Sequence, residues 1–129
     1  MKNDTLPPGP WQDEPDSLTW EFCGLVCNVS RSSSLGHLCG YVNVPETHKA
    51  FGSINEETLS RLDVHGGVTW NRAYHPKLKT TGSIWVGFDC AHDGDVCPMY
   101  TSLYLGTYKN LEYVIKEINK LAKQLIDLG

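Results

Sequence analysis

The sequence predicts an α+β protein in which a small antiparallel β-sheet packs against a long C-terminal amphipathic helix. Three observations lead to this class: short β-branched and aromatic runs separated by turn residues, a helical apolar repeat near the C-terminus, and a length of 129 residues. That length suffices for one domain with its own core, which we place at residues 18–129 after a proline-rich arm at residues 1–17.

The arm contains Pro7, Pro8, Pro10 and Pro15, and this proline density excludes a regular helix. Two interpretations stay open for it. It is an extended arm that Trp11 ties to the domain, or it is a loose tail.

The predicted strands are rich in β-branched and aromatic residues, and they lie at residues 19–29, 37–44, 62–70 and 83–90. The first two form an antiparallel hairpin across the polar turn 31–36. Gly66 and Gly67 interrupt the third strand, which indicates a bulge or a close backbone approach.

The C-terminal helix is predicted over residues 107–128, because its apolar residues recur on one helical face. Thr107 is the predicted N-cap, and Gly129 follows the last turn. This helix should cover one face of the sheet.

Composition excludes several classes of protein. The net charge of −4 disfavours a protein that binds duplex DNA through its phosphates, and no apolar run is long enough to span a membrane. The N-terminus lacks the apolar stretch of a signal peptide, so we expect a cytoplasmic protein. The odd number of cysteines, five, then favours free thiols, with Cys23, Cys27 and Cys39 in the core.

His65, Gly66 and Gly67 form the first candidate site. A histidine beside two glycines has an unobstructed ring, and the glycine amides face an anion if they form a concave nest. The alternative is that the glycines only make a bulge and His65 packs in the sheet.

Residues 87–95 form the second candidate site, because a strand ends there in a cluster of Asp, Cys and His. Strand alternation places Asp89 and His92 on opposite faces, and a bend at Gly94 brings Asp95 back toward His92. The alternative is an acidic turn without chemistry. Cys90 is a weaker candidate nucleophile, because acidic neighbours raise rather than lower the pKa of a thiol.

If the two strands are neighbours, His65, His92, Asp89 and Asp95 converge on one site suited to general acid–base catalysis. The same residue types also hold divalent metals, but the chain carries no zinc-binding sequence motif. The cofactor therefore stays open, with a divalent metal as one option.

A ligand-binding set is predicted around these residues, with Gly66, Gly67, Arg72, Tyr41 and Trp70 as its members. Arg72 belongs to a basic group, with Arg31, Lys77 and Lys79, that suits a phosphorylated ligand; the alternative is a solvated loop. Tyr41, Trp70 and Trp85 offer flat surfaces for a base or a sugar; the alternative is core packing. His48 and His75 are predicted at the surface.

Three segments, residues 39–45 (CGYVNVP), 64–70 (VHGGVTW) and 85–95 (WVGFDCAHDGD), resemble a pattern in small phage and prophage proteins. So does the final helix, which follows a tyrosine at Tyr108. The resemblance covers about residues 20–125 and differs at His37-Leu38, where that group often has an aromatic residue. It implies a viral or prophage origin and a host-cytoplasmic setting, and it supplies no catalytic residues.

Small phage proteins often act on host defence, so this origin suggests three functions. The first is a hydrolase of a phosphate-bearing small molecule, such as a nucleotide second messenger, with His65 and His92 as acid and base. The second is a nucleotide-binding protein that sequesters its ligand without turnover. The third is a protein that blocks a host factor directly. Each is compatible with a homo-oligomer.

Overall fold

The computed structural model describes residues 6–100 and 106–129, and in these ranges it contains five strands and two α-helices. The strands are β1 (Ser17–Phe22), β2 (Leu25–Arg31), β3 (Leu38–Pro45), β4 (Trp70–Arg72) and β5 (Ser83–Asp89), and the helices are α1 (Glu56–Ser60) and α2 (Leu111–Ile126). The strands form one antiparallel sheet in the order β1-β2-β3-β5-β4. The predicted α+β class is confirmed.

A tight turn divides the first predicted strand, residues 19–29, into β1 and β2. Cys23 and Gly24 form this turn with φ angles of 52° and 86°, and Phe22 pairs with Leu25 across it. Two-residue hairpin turns of this kind require positive φ at both central residues. The turn exposes Cys23, so its prediction as a core thiol is wrong, whereas Cys27 is buried.

The predicted strand over residues 62–70 is also wrong, because only its last residue, Trp70, belongs to a strand. Gly66 and Gly67 have φ angles of 69° and 79°, which lie outside the β region. The chain therefore passes from α1 to β4 through an irregular segment, residues 62–69, that contains His65.

Helix α2 begins later than predicted. Thr107 is not its N-cap, because Thr107 forms a bridge with Asp95. Asn110 is the N-cap instead, and its side chain accepts the N–H of Tyr113 at 3.0 Å. Glu14 of the arm accepts the N–H of Leu111 at 2.7 Å, so the arm also contributes to the start of the helix.

The buried face of α2 packs on β2 and β3, and its fully buried residues are Val114, Ile118, Leu121, Ala122 and Leu125. Gly40 in β3 provides room for this contact, since a Cβ there would lie 2.6 Å from Ile118 Cγ1. Each large apolar side chain buried in this way contributes about 1.5–3 kcal/mol.

The opposite face of the sheet is covered by the segment between β4 and β5, in which His75 is only 5% exposed. Its ring lies edge-on to Tyr41 and Trp85, with centroid separations of 4.5 and 4.7 Å. Nδ1 accepts the N–H groups of Lys77 and Leu78, and Nε2 donates to Asn28 Oδ1 at 2.8 Å. The prediction of His75 at the surface is therefore wrong, and its neutral form is the one that these contacts stabilise.

The described part of the arm, from residue 6, is held to the domain. Arg31 in β2 is 3% exposed and pairs with Glu14 at 3.2 Å and with Asp16 at 2.9 Å. Trp11 is buried edge-on against Tyr108, with ring centroids 5.0 Å apart. Residues 1–5 of the predicted arm lie outside the described residues.

The described residues include no helix that is both long enough and apolar enough to cross a membrane.

We expect His75 to make the protein sensitive to acid. Burial lowers the pKa of His75 to about 4 from an ordinary value of 6.5. The unfolded chain therefore binds a proton that the folded chain refuses, and stability is lost as the pH falls from about 6.5 toward 4, by at most about 1.4 kcal/mol per pH unit. Urea unfolding at several pH values measures this loss. His75→Gln should show a smaller loss in the same window, and parallel curves for the two proteins would contradict the assignment.

Glu14 should contribute more to stability than a carboxylate at the surface. Glu14→Gln removes the charge opposite the buried Arg31, and we expect the free energy of unfolding to fall by about 1–3 kcal/mol. The matched control is Glu57→Gln, because the pair of Glu57 with Arg61 is 83% and 66% exposed. Its loss should be about 0.5 kcal/mol or less. Equal losses in urea unfolding would show that Glu14 does not anchor the arm.

Candidate functional site

The four predicted catalytic residues meet where β5 ends. Asp89 is the last residue of β5, His92 and Asp95 lie in the loop that follows, and His65 lies in the irregular segment before β4. The centroids of the His65 and His92 rings are 6.0 Å apart. We call this group, together with Tyr113, the histidine site.

Asp95 holds one side of His65. The Nε2 atom of His65 lies 2.8 and 3.0 Å from the two carboxylate oxygens of Asp95, whose side chain is 1% exposed. Burial opposes ionisation of Asp95, but hydrogen bonds from His65, from the His92 N–H and from Lys109 outweigh it and lower its pKa. Asp95 is therefore an ionised acceptor at neutral pH, and it fixes the proton of neutral His65 on Nε2.

Tyr113 of α2 holds the other side of His65. Its hydroxyl lies 2.8 Å from Nδ1, and because Nε2 carries the proton, Nδ1 is the acceptor and Tyr113 the donor. Burial and the charge of Glu117 raise the pKa of Tyr113, so its hydroxyl is neutral. The main-chain N–H of His65 donates to Glu117 at 2.8 Å. The result is a continuous chain of hydrogen bonds from Tyr113 through His65 to Asp95.

The position of His92 relative to Asp89 and Asp95 differs from the predicted one. The Nε2 atom of His92 lies 3.1 Å from Asp89 Oδ1, but the two are not aligned for a hydrogen bond, and Nε2 has no hydrogen-bond partner in the described residues. The prediction of Asp89 and His92 on opposite faces is wrong, because the strand ends at Asp89. Asp95 accepts the main-chain N–H of His92 at 3.0 Å and binds the ring of His65 instead.

Gly66 is the residue that covers the ring of His92. A Cβ on Gly66 would lie 2.2 Å from both Cδ2 and Nε2 of His92, so any side chain at this position would have to displace that ring. The adjacent Gly67 has open space in the Cβ direction. Its amide donates to the carbonyl of Val64 at 2.8 Å and is therefore not available to the predicted anion nest.

The rest of the predicted ligand-binding set lies on the sheet face away from α2. Tyr41 is 7% exposed and lies edge-on to Trp70, with centroids 6.0 Å apart. The guanidinium of Arg72 lies 6.0 Å from the centroid of the Trp70 ring. Within residues 6–100 and 106–129, no hydrogen bond or ring contact joins these three residues to His65 or His92. Tyr41 forms an aromatic cluster with Trp70 and His75, Arg72 lies beside Trp70, and none of these residues lines the histidine site.

Two cations of the predicted phosphate-binding group, Arg31 and Lys77, already bind other groups of the protein. Arg31 is buried against Glu14 and Asp16, and Lys77 donates to the carbonyl of Arg31 at 2.7 Å. Among the described residues, Lys109 does reach the histidine site, with its Nζ 3.2 Å from Asp95 Oδ1.

Cys90 is not a candidate nucleophile in this setting. It is 2% exposed, and burial together with Asp95 raises the pKa of its thiol. The thiolate that such a reaction needs is therefore scarce.

No three or more His, Cys, Asp or Glu side chains are placed to hold a metal ion in the part of the chain that the structure describes. A cavity of about 190 Å³ adjoins the site and is lined by residues of the loop after β5, including His92 and Asp95, and by Leu35 and Tyr100.

Sequence reasoning missed Tyr113, Lys109, Glu117 and His37. Tyr113 and Glu117 are four residues apart and share one helical face, which was the available signal. His37 is 7% exposed, and its Nδ1 has no hydrogen-bond partner among the described residues. Burial lowers the pKa of His37, while the charges of Asp89 and Asp95 act in the opposite direction.

Comparisons with protein-family models, with curated proteins and with solved structures found no match. The resemblance to phage and prophage proteins therefore stays a prediction.

A pair of glycine variants tests the contact between Gly66 and His92. Alanine at φ angles of 69° and 79° costs about 1–2 kcal/mol at either position. Gly66→Ala should lower the free energy of unfolding more than Gly67→Ala does, and it should shift the NMR signals of the His92 ring. The reason is that a Cβ at position 66 overlaps that ring, whereas a Cβ at position 67 does not. Equal losses in urea unfolding, with unchanged His92 signals, would show that Gly66 does not position His92.

Proposed function

We propose that this protein is a hydrolase of phosphate esters in small molecules, a class that includes nucleotides, and that His65 is its general base. The observation that carries the proposal is the hydrogen-bond chain from Tyr113 through His65 to Asp95. A hydroxyl, an imidazole and a buried carboxylate in this order form the arrangement by which enzymes activate an oxygen nucleophile.

Asp95 acts as a positioning residue in this proposal. Its carboxylate is ionised and holds the proton of His65 on Nε2, which leaves the lone pair of Nδ1 directed at the hydroxyl to be deprotonated. When Nδ1 takes that proton, the ring becomes an imidazolium, and the adjacent negative charge stabilises it.

His92 is proposed as the acid that protonates the leaving group, with Asp89 as its neighbouring carboxylate. Its side chain is 34% exposed and lines the cavity beside Asp95. Since Gly66 covers Nε2, the nitrogen available for proton transfer is Nδ1.

A phosphate ester needs positive charge in this acidic setting. Lys109 supplies one cation, but Asp89, Asp93 and Asp95 outnumber it and repel a bare phosphate. A divalent ion that arrives with the substrate would neutralise this excess of negative charge, so we expect Mg²⁺ or Mn²⁺ to increase the rate of hydrolysis.

The test is hydrolysis of cyclic and linear nucleotides and of bis(4-nitrophenyl) phosphate, with Mg²⁺ or Mn²⁺ and with EDTA, followed by chromatography. His65→Asn should lower the rate by about 100-fold or more, which is typical of the loss of a general base. The control is His48→Asn, in which the amide oxygen can replace His48 Nδ1 as the acceptor of the Ala50 N–H. His48→Asn should retain the wild-type melting temperature within a few degrees. His65→Asn removes a hydrogen-bond donor of the buried Asp95, so its melting temperature is measured first and both proteins are assayed well below it.

Two results would overturn the proposal. If no substrate is consumed and a bound nucleotide is recovered intact after heat denaturation, the protein sequesters its ligand instead. If His65→Asn and the wild type hydrolyse the substrates equally fast, His65 is not the base.

A further inference from the structure

We propose that Tyr113 is the nucleophile of this hydrolase and that the reaction proceeds through a covalent phosphotyrosine intermediate. The inference rests on the proposed function and specifies its first chemical step. The alternative within the same function is a water molecule that His65 activates for direct attack on phosphorus.

The position of Tyr113 favours attack by its own oxygen. Its hydroxyl occupies the hydrogen-bonding position on Nδ1 of His65 at 2.8 Å, where an activated water would otherwise bind. The two rings are nearly perpendicular, at 89°, with centroids 5.5 Å apart. Tyr113 is nevertheless 36% exposed, so a substrate can approach it.

Helix α2 holds Tyr113 in place for this role. The N–H of Tyr113 donates to the side chain of Asn110, the N-cap, which sets Tyr113 in the first turn of the helix. Glu117, one turn later, accepts the main-chain N–H of His65 and so fixes the base relative to the nucleophile. The first turn is also the positive end of the helix dipole, which favours the negative charge that develops on phosphate during transfer.

The raised pKa of Tyr113 defines when its proton must leave. A neutral phenol is a weak nucleophile, so Tyr113 transfers its proton to Nδ1 of His65 as it attacks. The bond between Tyr113 Oη and phosphorus forms while the bond from phosphorus to the leaving oxygen breaks. The leaving oxygen takes that electron pair, and with 4-nitrophenolate it needs no proton.

A water molecule completes the reaction. After His65 has released its proton to solvent, it deprotonates water, which attacks phosphorus. The bond from phosphorus to Tyr113 Oη breaks, and the phenolate recovers a proton from His65. The sum of both steps is ester plus water giving alcohol plus phosphate, without any oxidant or reductant.

The first experiment looks for the intermediate. The protein is mixed with bis(4-nitrophenyl) phosphate, quenched with acid on the millisecond scale, and digested for peptide mass spectrometry. We expect a 4-nitrophenyl phosphoryl group on Tyr113 and an initial burst of 4-nitrophenolate. Tyr113→Phe, which removes only the hydroxyl, should show neither and should lose about 100-fold or more of the turnover. Tyr74→Phe is the matched control, because Tyr74 is 55% exposed and lies outside the histidine site.

The second experiment decides the case in which the intermediate does not accumulate. A substrate with a chiral phosphorothioate is hydrolysed in ¹⁸O-labelled water, and the configuration of the product is determined. Two displacements through Tyr113 give retention at phosphorus, and one direct attack by water gives inversion.

The outcomes separate this inference from the proposed function. Retention, or an adduct on Tyr113, supports the nucleophile. Inversion without an adduct overturns it and leaves the hydrolase standing, with Tyr113 as a proton donor if Tyr113→Phe is slow and as a bystander if it is not. Absence of any hydrolysis by the wild type overturns both.

Discussion

The local structure around the histidine site depends on the hydrogen bonds that the buried carboxylate of Asp95 accepts. An ionised side chain that is only 1% exposed must be fully hydrogen-bonded, because an unpaired charge in the interior is very costly. Asp95 meets this requirement with the ring of His65, the N–H of His92 and the ammonium of Lys109. These groups come from three separate segments, so one carboxylate determines how the segment before β4, the loop after β5 and the approach to α2 lie together.

The two layers around the sheet explain why that site lies at the end of β5. Helix α2 covers one face with an apolar stripe, and the segment with His75 covers the other with aromatic and polar contacts. Residues that sequence reasoning assigned to ligand binding, such as Tyr41 and Trp70, are occupied in this second layer. Asp89 and His92, whose side chains are 33% and 34% exposed, lie at the end of β5, outside these two layers.

The local sequence patterns predicted the fold class, but they failed at the turn between β1 and β2 and at the start of α2. The apolar face of α2 follows from helical periodicity, and the strand predicted at residues 83–90 follows from its β-branched and aromatic residues. The turn at Cys23 and Gly24 was missed because a Cys-Gly pair is a weak turn signal beside the surrounding β-branched residues. Threonine is a common N-cap residue, but Thr107 forms a β-bridge with Asp95, and Asn110 is the N-cap instead. A competing partner elsewhere in the chain is not visible in a local window.

The sequence by itself determined the α+β class, the long C-terminal helix, and the set of histidines and aspartates from which a site could be built, because these depend on composition and on neighbours a few residues apart. Only the tertiary structure decided that Asp95 binds His65 and that Tyr113 completes the chain. Those partners lie 30 and 48 residues from His65 along the chain. Contacts at such separations are set by how the layers pack, and the distance between two hydrogen-bonding atoms follows from that packing.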